Sequence, residues 1–184
     1  MADGRLREAQ DGANFPDADM LPLGRIGIRA ERGDNRMCGL SKDEQITLMS
    51  LFSIFRSPLM FGGDLPSNDE FTLSLLTNKD VLYINKSSQN NRQLFNNNDL
   101  IAWVADDPKT GDKFLAVFNA QDQVKIDESK DGIKIPVNLE KIGVTGTCII
   151  KDMWSHQSLG SFSKEFAPLI KHHASGLYRI SVKK

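Results

Sequence analysis

In the segment NFPDADMLPLG, residues 14–24, two carboxylates, Asp17 and Asp19, stand either side of one alanine. Residues two apart in a strand share a face, and a rise of ~3.3 Å per residue sets them roughly 7 Å apart. An extended segment would therefore aim both acids into one pocket. Three readings suit such a pair. It could supply the acid and base of a glycosidase, whose carboxyl groups lie about 5 to 5.5 Å apart when configuration is retained and about 6.5 to 9.5 Å apart when it is inverted. It could hold a divalent cation for nucleotide-sugar chemistry, through oxygen ligands of the kind magnesium takes. Or one acid could hydrogen-bond a loop while the other faces water. Spacing alone leaves all three open.

Asp64 is a further candidate. It follows the apolar run LMFGG, at the kind of strand end where parallel α/β folds build active sites, and Gly62 and Gly63 permit close backbone approach. A plain turn acid would look the same. His172 and His173 would point to opposite faces of an extended chain, so they could not grip one ion together and read as surface residues. His156 has no partner nearby in sequence. Trp103 and Trp154 fall in strand patterns, where a core role is expected ahead of sugar stacking. Cys38 and Cys148, 110 positions apart, show neither metal nor redox spacing and read as two buried thiols. There is no glycine-rich phosphate loop and no nucleophile elbow, and no cofactor or metal ligand is assigned from these further residues.

These residues need elements to position them. From Asp17 to about Ser87 the pattern is strand, helix, strand, helix. Ser41 and Glu44 in SKDE form a capping box that opens a helix through QITLMSLFSIFRS. Ile46, Leu48, Met49, Leu51, Phe52, Ile54 and Phe55 cover more than one stripe of that helix, which therefore expects burial on several sides. Pro58 ends it, and LMFGG reads as a central parallel strand. A second box, Ser67 to Glu70, opens another helix through FTLSLLTN, with Asn78 as its stop. Capped helices between strands imply βα units. The asparagine-rich residues 89–99 read as a linker. Beyond them LIAWVAD and KFLAVFN, joined by the turn residues of DPKTGD, predict a hairpin. With IKIPVNL, TCIIKDMW and GLYRISVK, they predict an antiparallel β-sandwich over residues 100–184.

The bulk composition excludes several partners. The 184 residues carry 23 basic and 24 acidic side chains without a long run of either sign, which argues against a nucleic-acid surface or a polybasic membrane patch. No stretch approaches the roughly 20 apolar residues of a spanning helix. Residues 1–15 show no apolar core of a signal peptide, so a soluble chain without an export address is expected.

The motifs are more specific in combination. FPDADMLPLGRIG, then LSKDEQITLMSLFSIFRSPLMFGGDLP, then LSLLTNKDVLYINKSS resemble, in order and spacing, the late part of α-galactosidases of glycoside hydrolase family 27. The family pattern is Trp-x-Asp-Pro-Asp-Met, a Leu-Thr/Ser-x-x-Glu-Gln helix start, Ser-Pro-Leu, and Asn-x-Asp-Val-Ile-x-Ile-Asn. Residues 14 to about 88 carry the close resemblance, and AWVAD, FLAVFN and DMW a looser one. Phe15 and Ala18 depart from the tryptophan and proline of many members.

The resemblance implies a (β/α)₈ barrel followed by an antiparallel sandwich and retaining removal of terminal α-galactose. Residues 1–88 would be the barrel's end, with its seventh strand at 14–24, seventh helix at 41–57, eighth strand at 58–63 and eighth helix at 67–78. Asp19 and Met20 would line the galactose pocket, with Asp17 and Asp64 in support. The family's nucleophile, in a Lys-x-Asp context on the fourth strand, and its acid/base on the sixth have no counterpart in this chain. No catalytic residue is therefore assigned, and the chain alone is expected to be inactive or to serve as a sugar-binding or assembly module. The whole enzyme would be secreted or periplasmic. Unpaired barrel edges and the apolar helix imply self-association, complementation by a chain bearing earlier strands, or docking of the βα units onto the sandwich.

Overall fold

Helix α1 (Lys42–Phe55) starts at the predicted capping box: Ser41 Oγ accepts from the Glu44 amide at 3.2 Å, and Glu44 Oε2 accepts from the Ser41 amide at 2.7 Å. The computed structural model describes residues 17–29, 33–122 and 132–182. Phe15, at the edge of the motif, lies outside them.

Four short strands surround α1 in sequence: β1 (Met20–Leu21), β2 (Arg25–Ile26), β3 (Arg36–Met37) and β4 (Met60–Phe61). β1 and β4 pair in parallel, Met20 opposite Met60, as successive barrel strands should. The strands are shorter than the predicted 14–24 and 58–63. β2 and β3 form an antiparallel hairpin that the sequence reading did not foresee.

The next helix also departs from expectation. α2 spans Glu70–Leu76, and its cap is Asp69, whose Oδ1 accepts from the Thr72 amide at 2.7 Å. Ser67 lies instead in a 3₁₀ turn, Leu65–Ser67, with its hydroxyl bonded to Asp64. Asp69 displaces Ser67 because it stands three residues before Thr72, where its carboxylate reaches the free amide directly. Asn78 follows the helix and caps the next one, α3 (Lys79–Ser87), accepting from the amides of Asp80 and Val81.

Residues 89–97 are not a linker. They form β5 (Gln89–Asn97), the edge of a six-stranded antiparallel sheet with β6 (Leu100–Asp106), β7 (Lys113–Asn119), β10 (Cys148–Asp152), β11 (Ser158–Phe162) and β14 (Ser175–Val182). The order is β11-β10-β14-β7-β6-β5. An edge strand tolerates asparagines because one side needs no ladder partner, and two register shifts along β5 twist it further. Four shorter strands, β8 (Ile133–Lys134), β9 (Val137–Asn138), β12 (Glu165–Phe166) and β13 (Leu169–Ile170), pair β8 with β13 and β9 with β12 to make the opposing layer.

The sheet has two buried faces. On one, Val104, Leu115, Val117, Ile150 and Ile180 pack with Ile135, Val137, Leu139 and Phe166 of the opposing layer. On the other, Trp103, Phe114, Ala116, Phe118 and Leu177 pack with Ile54 of α1 and Val81 and Ile84 of α3. Burial on both sides is why LIAWVAD and KFLAVFN read as continuous apolar runs rather than alternating ones. Helix α1 therefore docks on the sandwich, one of the three fates foreseen for it. Its far side joins Leu21, Leu23 and Leu75 through Met49 and Phe52.

Polar bonds close the seam. Trp154 Nε1 donates to Ser50 Oγ at 2.9 Å, Thr47 Oγ1 donates to the His173 carbonyl at 2.9 Å, and buried Asn91 donates to the Ile54 carbonyl at 2.7 Å. Asp107, 1% exposed, accepts from Tyr83 OH of α3 at 2.8 Å and pairs with Arg179 of β14 at 3.0 Å. Burial alone would raise the Asp107 pKa. Bonds from the Lys109 amide, Tyr83 and Thr110, with the Arg179 charge, outweigh it and hold the carboxyl below its ordinary value. Cys148 is buried, but Cys38 is only half-buried, so the expectation of two buried thiols holds for one. No described helix is long and apolar enough to cross a membrane.

Candidate functional site

The backbone at Asp19 turns left-handed, with φ at +70°. An aspartate tolerates this region better than most residues because its short polar side chain bonds locally. Asp17 Oδ1 accepts from the Asp19 amide at 2.9 Å, and Asp19 Oδ1 accepts from the Met20 amide at 2.8 Å. The two acids therefore shape a turn leading into β1. They are not neighbours on one strand face, which corrects the geometry expected of an extended Asp-x-Asp. The turn is anchored by the Ala18 amide, which donates to Ser57 Oγ at 2.9 Å.

What the turn delivers is Met20, 53% exposed at the start of β1, beside Met60 of β4. The chain after β4 lies against β1, with the Gly62 amide donating to the Leu21 carbonyl at 2.9 Å. Gly63 is needed for this approach, since a Cβ there would collide with the Leu23 carbonyl oxygen and the Phe61 ring. Asp64 follows, its amide bonded to the Arg25 carbonyl at 2.8 Å and its carboxylate held by Ser67. A cavity of about 590 Å³ results, lined by Met20, Gly62, Gly63 and Asp64 on one side and by Arg25 to Arg29 on the other. Asp64 and Met20 thus meet in one cavity, whereas Asp17 and Asp19 lie outside its lining.

Arg25 was missed in the sequence. The available signal was the alternation of RIGIR followed by Gly33 and Asn35, which marks a hairpin. Its guanidinium is oriented by Nε, which donates to Asn35 Oδ1 at 2.8 Å.

The histidines also differ from expectation. His173 has φ at +57°, so the pair sits in a turn rather than a strand, and the two rings stack at 3.7 Å. His173 Nδ1 lies 3.2 Å from Glu44 Oε1. The Ser41 amide and hydroxyl, followed by this histidine, lower the Glu44 pKa despite some burial. His156, left without a partner in the sequence reading, lies 3.0 Å from Asp80, which also pairs with Lys151 at 2.8 Å. These groups border a second cavity of about 480 Å³ with Asp112 and Arg179, whose charges are already paired with each other at 2.6 Å. Among the described residues, no group of three or more histidine, cysteine or acidic side chains is placed to hold a metal ion.

The parallel β1–β4 pair, the cleft between it and β2, and the helices seated on an antiparallel sandwich define a class: the closing βα units of a barrel, sealed onto a trailing sandwich. Residues 97–180 match the alpha galactosidase C-terminal beta sandwich domain. A β-L-arabinopyranosidase of glycoside hydrolase family 27 from Geobacillus stearothermophilus is 41% identical over 91% of this chain and 37% of its own, with a TM-score of 0.81. A Bacillus halodurans protein described as an α-N-acetylgalactosaminidase is 38% identical over 92% of this chain and 40% of its own, with a TM-score of 0.83. Alpha-galactosidase 2 of Arabidopsis thaliana is 26% identical over 93% of this chain and 39% of its own. The chain thus spans well under half the length of these relatives. It corresponds to the C-terminal part of glycoside hydrolase family 27 enzymes, the last barrel units and the sandwich.

Proposed function

We propose that residues 1–184 supply the end of the barrel and the sandwich of a retaining exo-glycosidase that removes terminal α-galactose. Asp19 and Met20 serve as part of the sugar wall, with Asp17 and Asp64 in support. The observation that carries this is Met20, presented at the start of β1 by the Asp17–Asp19 turn and bordering an open cavity with Gly62 and Gly63. An exposed thioether offers an apolar surface for the C–H face of a pyranose, and a carboxylate beside it can accept hydrogen bonds from the sugar hydroxyls. Exposure of Met20 and Met60 to 53% and 52% supports completion of the barrel by further strands.

Retaining hydrolysis needs one carboxylate to form the glycosyl-enzyme and another acid to protonate the leaving oxygen. Asp17 and Asp19 are engaged in turn bonds, and no residues before Phe15 read as the family's Lys-x-Asp strand. The purified chain is therefore expected to leave aryl α-galactosides and aryl β-L-arabinopyranosides intact. A rate that tracks the protein through several columns would overturn this.

A second reading concerns the sugar. Identity is higher to the β-L-arabinopyranosidase, 41%, than to the plant α-galactosidase, 26%, and a variant of the former was solved with arabinose bound. β-L-arabinopyranose presents the ring hydroxyls of α-D-galactopyranose and lacks only the hydroxymethyl group. Tighter saturable binding of L-arabinose than of galactose would favour this sugar. Binding of either without turnover also fits a non-catalytic recognition module.

A further inference from the structure

Helices α1 and α3 cover only part of the sheet face on which Trp103, Phe114 and Leu177 are buried. Towards β11 that face stays open. Ile149 and Lys151 of β10 stand directly opposite Ser181 and Arg179 of β14, so these four side chains share it. The open end is a cavity of about 480 Å³, walled by Asp80 in the first turn of α3, by Asp112 before β7, and by His156 and Ser158 where β10 turns into β11. That turn is fixed by Asp152 Oδ1, which accepts from the amides of Trp154 and Ser155 at 2.9 and 2.7 Å and leaves His156 at φ +61°. No lining residue comes from β1 or β4.

The cavity's charges are balanced in pairs: Lys151 Nζ lies 2.8 Å from Asp80, and Arg179 Nε lies 2.6 Å from Asp112. An anion could reach either cation only against the repulsion of its carboxylate, whereas a neutral hydroxyl meets no such barrier. Each pair also has bonding capacity to spare. Arg179 spends Nε on Asp112 and Nη2 on Asp107 and Thr110, and Lys151 gives one of its three protons to Asp80. Asp80 and Asp112 accept only through Oδ2 among the described residues. Because a carboxylate can only accept, Asp80 fixes the proton of a neutral His156 on Nδ1 and leaves Nε2 as an acceptor.

We infer that this cavity binds a neutral sugar ring, at a place that shares no lining residue with the cleft beside Met20. Adjacent ring hydroxyls each donate and accept, which is what the Lys151–Asp80 and Arg179–Asp112 pairs offer in return. Exposed Ile149 supplies an apolar contact for ring C–H groups, and the volume lies in the range of small-molecule sites. Such a site holds a carbohydrate to the sandwich without cutting it. The inference does not depend on the reading of Met20.

The test is methyl NMR of the 184-residue chain labelled at isoleucine and methionine, titrated to high millimolar D-galactose and, at matched ionic strength, to the same concentration of inorganic phosphate. Galactose should shift the Ile149 methyl saturably, and phosphate should neither shift it nor compete. His156→Asn keeps a residue that tolerates the left-handed backbone at an exposed side chain. It should weaken the Ile149 titration about fivefold, the worth of one net hydrogen bond, and leave any Met20 titration unchanged. Lys151→Met should weaken it likewise. Unmoved methyls of Ile54 and Ile84, buried between the sheet and its helices, check that each variant is folded. If galactose leaves Ile149 in place, if phosphate displaces it, or if neither folded variant alters the titration, the inference falls. A saturable shift confined to Met20 would sink this site and leave the proposed sugar wall standing.

Discussion

Strands β6–β7 and strands β1–β4 are both drawn from apolar runs, yet their surroundings are opposite. β6 and β7 pair along their whole length, are flanked by β5 and β14, and are buried on both faces. β1 and β4 pair over two residues each, have no other sheet neighbour among the described residues, and leave both methionines half in water. The difference teaches that this molecule separates consolidation from presentation. Helix α1 serves both regions, seating one flank on the sheet through Ile54 while Met49 and Phe52 hold β1 from behind.

Mutations can break or sharpen this contrast. The largest loss is expected for Phe114→Ala, which empties a fully buried position between the sheet and Tyr83. Such truncations cost about 3–5 kcal/mol, read as a lowered urea midpoint with an unchanged slope. Asp107→Ala should cost about 1–3 kcal/mol by leaving Tyr83 and the Lys109 amide without their acceptor, while Arg179 keeps Asp112. It should also flatten the acid limb of stability. Because the folded Asp107 pKa is depressed, its contribution is fully present above the ordinary carboxylate range of about 4 and is lost as pH falls through the lower folded value. An urea series from pH 7 down to pH 3 measures this. Smallest is Met60→Ala, expected within about 0.5 kcal/mol of the parent because the side chain is 52% exposed. A Met60→Ala loss as large as that of Phe114→Ala would erase the contrast and show the β1–β4 pair to be core.

What was legible in sequence was local or periodic. The Ser41–Glu44 box needs only four residues to announce itself, and the unbroken apolar runs of β6 and β7 mark two-sided burial without naming what lies on either side. The order of motifs from FPDADM to YINKSS pointed to the right family because each fragment has a fixed place in the barrel. Three features stayed hidden for physical reasons. β5 looks like a linker because an edge strand has no need of an apolar composition. The Asp107 cluster joins Tyr83 and Arg179 from 24 and 72 residues away, so no window contains it. The Asp17–Asp19 pair was misplaced because alternation assumes extended backbone, and Asp19 is left-handed.

The sandwich that can be matched as a domain starts at residue 97, inside the last position of β5. Heredity and mechanics therefore draw the border differently. A protein trimmed at that point would lose an edge strand and both helices that lie on Trp103, Phe114 and Phe118, turning the inner wall of a two-sided core into open surface. The trimmed piece would be expected to stick to itself. The smallest soluble unit containing this sandwich must begin no later than the helix that Ser41 caps.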